Sequence, residues 1–534
     1  MLRFPTKRRS SFKHKPFCVP TPDPFQNPMV ETHPRQLRQW VAALPSADPE
    51  QLAQAIITQL GRLNRFPALV KKRAELMEIY RAPSTRLYQL SQERKSTLPM
   101  SLVRQVMLEM AYGHLHLVNQ TINEKPSAKR RKRLQTAVFH AAEYLSREYL
   151  YACLMYDCSG SITLREIIRL HTLTEEYNLQ PEPVARPEQS TTIAHHVKLT
   201  LLLSLLDPCH LQDGEARILF DYLSEFADLA CFTELNNPSE AAGHYVIDRI
   251  GKLPPQPFDP DKREGLTPPR FCLFNILPIS QRLHQDLRNI EKQVGVYPIG
   301  LQNLGSKSAA NLLQRTLKSW HVRQVRDSER HPTSGQARLS LGIAAIHHFL
   351  SYTEASSGSA IPTEEIVLLS TVEGLSASVS LPPRNLDCWR HNQSRTGIAL
   401  LLPLPQETTP HVGDLVLLTK PDGGNRADAK IGIVRRALLK DKNTLKIGVQ
   451  FISGRLVPLT LQTIEKADDQ PSRSIQALYL DLGEVERSTL IVPKESLTID
   501  REYRIEEMIP APRICPVHLA EATASFERFR IRRT

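Results

Sequence analysis

The sequence predicts an α+β multidomain protein: an all-α bundle or solenoid first, then an antiparallel β-barrel followed by extra β strands. Three observations carry that expectation. Apolar residues keep the 3.6-residue helical period from about His33 to Ile250. From Gln336 onward the pattern becomes mostly strand-like, with β-branched runs separated by turn residues. And 534 residues, 41% hydrophobic and 23% charged, are too many for one ordinary globular domain.

The elements follow in order. Residues 1–32 begin MLRFPTKRRSSFKHKPF, a basic stretch without the apolar core of a secretory signal, and read as a disordered leader of a cytoplasmic protein. The helical domain spans 33–250. Asp48-Pro49 marks a helix start, with Asp as N-cap and Pro at the first helical position. Leu52, Ile56, Leu60 and Leu63 then keep the period. The stripe Leu134, Val138, Ala141, Leu145, Tyr149 and Ala152 predicts a long helix beginning after the basic cluster Lys129 to Arg133. Further helices are expected over 65–81, 101–123, 162–176, 191–206 and 214–229, with no fixed repeat among them. Residues 251–319 read as a proline-rich linker and short helices, the latter over 281–294 and 306–319.

In the β-rich part, Leu445, Ile447, Val449 and Phe451 alternate with Lys446, Gly448 and Gln450, as a half-buried strand requires. The turns 421–425 and 441–443 join strands 414–419, 431–438 and 445–451 into antiparallel hairpins. A barrel over 320–465 and a β-rich extension over 466–534 complete the expected organisation. The extension's strands are expected at 475–480, 489–492 and 503–505.

Composition excludes more than it selects. No run reaches the roughly 18 apolar residues of a membrane span, and Leu199 to Leu206 is closed by Asp207-Pro208. Eight cysteines form no CxxC pair, so neither a zinc site nor a redox motif is indicated, and no metal or other cofactor is expected. P-loop, Rossmann, HExxH and GxSxG signatures are missing, and nothing argues for catalysis. The formal net charge of +12 leaves anionic partners open. The Lys129 to Arg133 cluster reads as a solvated helix start. His347-His348, taken to lie on a strand, would point to opposite faces and share no metal.

Two motifs can carry chemistry. Arg326-Asp327-Ser328-Glu329-Arg330 is an RxxxR ahead of the first strand, and Asn392-Gln393-Ser394-Arg395-Thr396-Gly397 is an NxSxxG opening another. An arginine fork matches guanine O6 and N7 or a phosphate, and its flat face stacks on a base. Asn and Ser in a tight turn offer short polar groups, and Gly397 allows a positive φ or a close backbone approach.

In this order the motifs resemble the PilZ family, whose barrels bind cyclic di-GMP. Gly448-Val449-Gln450-Phe451 resembles the family's closing strand, and Lys430 to Arg436 the strand before it. The resemblance runs from about Trp320 to Leu461 and implies a six-stranded type of barrel. It implies that Arg326 and Arg330 hold guanine and phosphate, while Asn392, Ser394 and Gly397 meet a guanine from the barrel surface. The 62 positions between Arg330 and Asn392 exceed the family's usual spacing, and Asn stands where Asp is commoner. The implied protein is a bacterial cyclic di-GMP effector, not an enzyme. Its helical half would dock a protein partner in motility, surface attachment or secretion. The alternative is an adaptor or scaffold with a degenerate, non-nucleotide-binding barrel. The scarcity of aromatics counts against nucleic acid as partner.

Overall fold

The computed structural model describes residues 15–23, 30–45, 47–66, 72–93, 96–158, 162–179, 191–235, 242–262, 264–321, 329–355, 385–406, 408–421, 429–464, 474–483, 488–506 and 512–533. The chain divides into two compact units, Met1–Pro208 with Gly214–Gln324, and Cys209–Asp213 with Val325–Thr534.

The first unit opens with α1 (Pro34–Ala42), α2 (Pro49–Arg65), α3 (Arg73–Leu90), α4 (Met100–Ile122) and α5 (Ala128–Leu154). It continues with α6 (Ile162–Glu176), α7 (Ile193–Ser204) and α8 (Glu215–Phe226). The Asp48 carboxylate accepts from the backbone N–H of Glu50 and Gln51, both at 3.0 Å, so the predicted cap is made. The α5 helix starts earlier than predicted. Ser127 accepts from the Arg130 N–H and starts the helix before the basic cluster, whose residues therefore form its first turns.

Buried carboxylates tie these helices together. Glu109, only 3% exposed, receives Asn64 Nδ2 at 2.8 Å and Arg65 Nη1 at 3.0 Å. Arg73, 1% exposed, donates to Asn64 Oδ1 at 3.2 Å and to the Leu63 carbonyl at 3.1 Å. Burial is the cause that lowers its pKa to about 10. Most of these polar groups are satisfied by one another, which is the condition for keeping them inside, while Arg73 Nε has no hydrogen-bond partner among the described residues.

The leader expected to be disordered is partly docked. Phe17 is buried, its N–H donates to Asn119 Oδ1 at 2.8 Å, and the Arg169 guanidinium lies 4.6 Å from its ring centroid. One aromatic anchor thus overrides the polar composition around it.

The end of the first unit also departs from expectation. In place of helix up to 250 and a linker beyond it, four short strands form a sheet: β1 (Cys231–Thr233), β2 (His244–Asp248), β3 (Gln256–Pro257) and β4 (Phe271–Asn275), in order β1-β4-β2-β3. The proline-rich segment supplies the edge strand β3, where a missing N–H costs least. Asp248 fixes the turn after β2 by accepting both Arg270 Nε and Nη2, at 3.1 and 3.2 Å. Helices α9 (Leu277–Glu291) and α10 (Ser306–His321) follow, close to the two predicted there.

The second unit holds two barrels. In the first run β5 (His331–Pro332), β6 (Gln336–Leu341), α11 (Gly342–Ala355), β7 (Asn385–Gln393), β8 (Gly397–Pro403), β9 (Leu415–Thr419), β10 (Lys430–Asp441) and β11 (Thr444–Phe451). The strands follow the order β7-β6-β9-β10-β11-β8, and pairing of β8 with β7 closes a six-stranded ring. Leu386, Cys388, Leu400, Leu402, Ile447 and Val449 are buried on its inward face. The Cys388 thiol donates to the Ala337 carbonyl at 3.3 Å, and burial pushes its pKa up to about 12.

His347 and His348 lie on α11, not on a strand. Ile343, Ile346 and Leu350 bury one face of that helix against Leu415, Leu417 and Ile433 of the barrel wall. Those contacts settle as helix a run whose isoleucines also suit a strand.

The strand β12 (Arg455–Thr463), expected inside the first barrel, belongs to a second. There β12, β13 (Ser474–Asp481), β14 (Thr489–Pro493), β17 (Phe526–Arg533), β16 (Arg513–Ala522) and β15 (Tyr503–Ile505) form a closed ring in that order. Its core gathers Leu461, Ala477, Leu490, Val492, Ile514 and Phe529. What composition marked as an extension supplies five of the six strands of this barrel.

Candidate functional site

The described end of the first motif, Glu329-Arg330, leads into β5, which pairs with the strand that carries the second motif. β5 pairs antiparallel with the end of β7, His331 opposite Gln393 and Pro332 opposite Asn392. Thr333 N–H donates to the His391 carbonyl at 3.2 Å, and Arg390 N–H donates to Gly335 O at 2.9 Å, which extends the pairing to β6. Arg330 immediately precedes His331 of that pairing. Arg330 is exposed. The long segment between the motifs therefore does not separate Arg330 from the NxSxxG. Arg326 lies outside the described residues, as do most of residues 354–384.

Within the NxSxxG turn, Ser394 is 8% exposed. Its N–H and its hydroxyl both donate to the Gly397 carbonyl, at 2.8 and 3.4 Å, closing the tight connection from β7 to β8. The Phe451 N–H donates to Thr396 O at 2.9 Å and ties the turn to β11. Gly397 does not need a positive φ. A Cβ there would lie 2.4 Å from the Val449 carbonyl oxygen, so glycine is required by the approach of β11. Asn392 is half-buried, and its Oδ1 is buried without a hydrogen-bond partner among the described residues. A buried acceptor of this kind is costly until something donates to it.

The row beside Asn392 is built of small residues, and its Ala399 is only 1% exposed. Asn392 pairs with Ala399, Ala399 with Gly448, and Gly448 with Arg436, so these four cross β7, β8, β11 and β10 in one row. Arg436 is exposed and ends the row opposite Asn392. Trp389, 42% exposed, and Leu401 lie in the next row with Lys446. Desolvation first, then the Lys446 and Lys440 charges, hold the nearby His391 below the usual imidazole range. The place thus offers cations at two ends, an unsatisfied carbonyl acceptor and a floor of small residues. Such an arrangement can take a planar anionic ligand whose edge donates hydrogen bonds. Arg436 was quoted in the sequence only as part of a strand; its role at the edge of this face depends on register.

Among the described residues no group of three or more His, Cys, Asp or Glu could hold a metal ion. No described helix is long and apolar enough to cross a membrane. All eight cysteines are free thiols, five of them buried.

No curated protein matches the chain. Residues 35–238, most of the helical unit and none of the barrel edge just described, match the family model of the N-terminal domain of the cyclic-di-GMP receptor FimW.

Proposed function

We propose that this protein is a cyclic di-GMP receptor of the PilZ type, holding the dinucleotide on the outer face of its first barrel. The observation that carries the reading is the β5–β7 pairing, in which His331 and Pro332, next to Arg330 in sequence, face Gln393 and Asn392 of the NxSxxG. The similarity of residues 35–238 to the N-terminal domain of a cyclic-di-GMP receptor supports the same ligand from an independent part of the chain. In this reading Arg330, with Arg326, grips phosphate and guanine. Asn392 Oδ1 accepts from the guanine N1–H and N2–H2 edge, which is why Asn serves where Asp is commoner. The base lies over Gly448, between Asn392 and Arg436.

The protein is a binding protein of the cytoplasm in this reading. Its helical unit passes the ligand's presence to a protein partner in motility, attachment or secretion. Calorimetric titration of cyclic di-GMP tests it. Saturable binding to the full chain, weakened about ten- to a hundredfold in Arg330→Ala, is expected for loss of charge-assisted hydrogen bonds. No heat with folded protein would sink the reading in favour of an adaptor with a degenerate barrel. Undiminished binding by Arg330→Ala would move the site elsewhere.

A further inference from the structure

The helical unit contains a cavity of about 720 Å3 between α3, α4 and α5. That size lies within the range of small-molecule sites. Its floor includes His114 and His140, whose ring centroids are 5.0 Å apart, and His114 also stacks on Tyr144 at 5.7 Å. His140 is engaged, its Nδ1 lying 3.1 Å from Glu143 Oε2. His114 is not. It is 6% exposed, and both its ring nitrogens are buried without a hydrogen-bond partner among the described residues. Burial, then the neighbouring His140, holds its pKa well below the usual imidazole range, so the ring is neutral and offers one donor and one acceptor. An unsatisfied pair of this kind inside a cavity is a cost that a bound molecule would remove.

The rim is cationic. Lys129, Lys132 and Arg133 line it from the first turns of α5, where positive charge opposes the helix dipole. The two carboxylates on the rim are already matched, Glu124 by Arg133 and Glu78 by Arg81. Lys129 and Lys132 make no ion pair among the described residues, so the mouth carries two uncompensated charges. Gln120 and Thr121 add polar groups to the wall, which an acyl chain would leave unsatisfied.

We propose that this cavity binds a phosphate-bearing small molecule of the nucleotide class. Its phosphate sits at Lys129 and Lys132, and its heterocycle hydrogen-bonds to His114. The proposal does not rest on the barrel site.

The test is calorimetric titration of the full chain with 5′-GMP, 5′-AMP and inorganic phosphate. Two variants accompany it: Lys129→Ala with Lys132→Ala, which changes exposed side chains only, and His114→Phe, which keeps the ring stack and deletes both nitrogens. Saturable binding of at least one mononucleotide is expected, weakened about tenfold or more in each variant. Circular dichroism checks that both variants keep the helical fold. No saturable heat from either mononucleotide would overturn the proposal, as would binding that both variants leave unchanged. Inorganic phosphate binding as tightly as the mononucleotides would overturn the nucleotide class, because the heterocycle would then contribute nothing.

Discussion

Two glycines on the first barrel separate what the fold needs from what the ligand face needs. A Cβ at Gly397 would meet the Val449 carbonyl oxygen at 2.4 Å, and that oxygen is backbone, so no side chain can turn away. Relief requires β8 to retreat from β11 at the Gly397–Gln450 pair, next to the Phe451 N–H to Thr396 O bond. Overpacking of this kind costs about 1–3 kcal/mol, and a weakened hydrogen bond adds about 1 kcal/mol. Against this, Gly→Ala within a strand recovers about 0.5–1 kcal/mol of backbone entropy. Gly397→Ala should therefore lose about 1–3 kcal/mol. At Gly448 a Cβ would meet only Arg436 Cβ, at 3.5 Å, an ordinary contact. Gly448→Ala should leave folding unchanged or improve it by up to about 1 kcal/mol. Yet it raises the floor between Asn392 and Arg436, so cyclic di-GMP binding should weaken. Hydrogen exchange over 396–403 and 444–451 reads local stability, and calorimetry reads binding. Equal exchange in Gly397→Ala and wild type would refute the steric argument. Full affinity in Gly448→Ala would refute the assignment of that face to the ligand.

Two further perturbations probe the helical unit. Arg73→Ala removes the donor to Asn64 Oδ1 and to the Leu63 carbonyl in a buried network, at an expected cost of about 2 kcal/mol or more. A shift below about 0.5 kcal/mol in the helical denaturation curve would show that water replaces the guanidinium. His171 is buried against Phe232, and burial, followed by the Arg249 and Lys198 charges, lowers its pKa to about 3. With the folded value below the unfolded one, near 6.5, the unfolded chain binds the extra proton. The His171 contribution is thus complete above about pH 6.5 and is lost as pH falls toward 3. His171→Phe should flatten this part of an acid denaturation profile, and an unchanged profile would assign the acid sensitivity to other groups.

The long helices were legible because an apolar stripe repeated over five or six turns admits one period, as Leu134 to Ala152 does on α5. The strand through Phe451 was legible for the matching reason. The strands β1 to β4 were not, because segments of two to five residues carry too little pattern to outweigh the helices around them. Nor was the ownership of β12, whose alternation suits either barrel; its pairings with β13 and β15 assign it to the second. Of the candidate site, the NxSxxG turn was readable as chemistry. Its nearness to Arg330 was not, because that rests on two registered pairs between residues some sixty apart in sequence. The helical domain that carries the family similarity bears no short motif; its specific features are buried pairings such as Arg73 with Asn64.

The proposed ligand face depends on two irregularities that no periodic reading contains. Along β7 the inward positions run Leu386, Cys388 and Arg390, so strict alternation would turn Asn392 inward as well. The bulge at His391 inserts one residue, and Asn392 pairs with outward Ala399 instead. Along β10, Val434 faces in opposite Val449, and alternation would put Arg436 on the same side. A second bulge, at Arg435, turns Arg436 out opposite Gly448. Either bulge alone would leave one end of the Asn392–Ala399–Gly448–Arg436 row inside the barrel, against Leu400 or Ile447. Both together give a row with an amide at one end, a guanidinium at the other and two small residues between them, the buried Ala399 and the half-buried Gly448. The bulged residue Arg435 is itself held, its Nε on Gln450 Oε1 at 2.8 Å and its Nη2 on Glu521 Oε1 of the second barrel at 2.7 Å. The second barrel therefore fixes the bulge that turns Arg436 outward, and it contributes to the candidate site without supplying a side chain to the row.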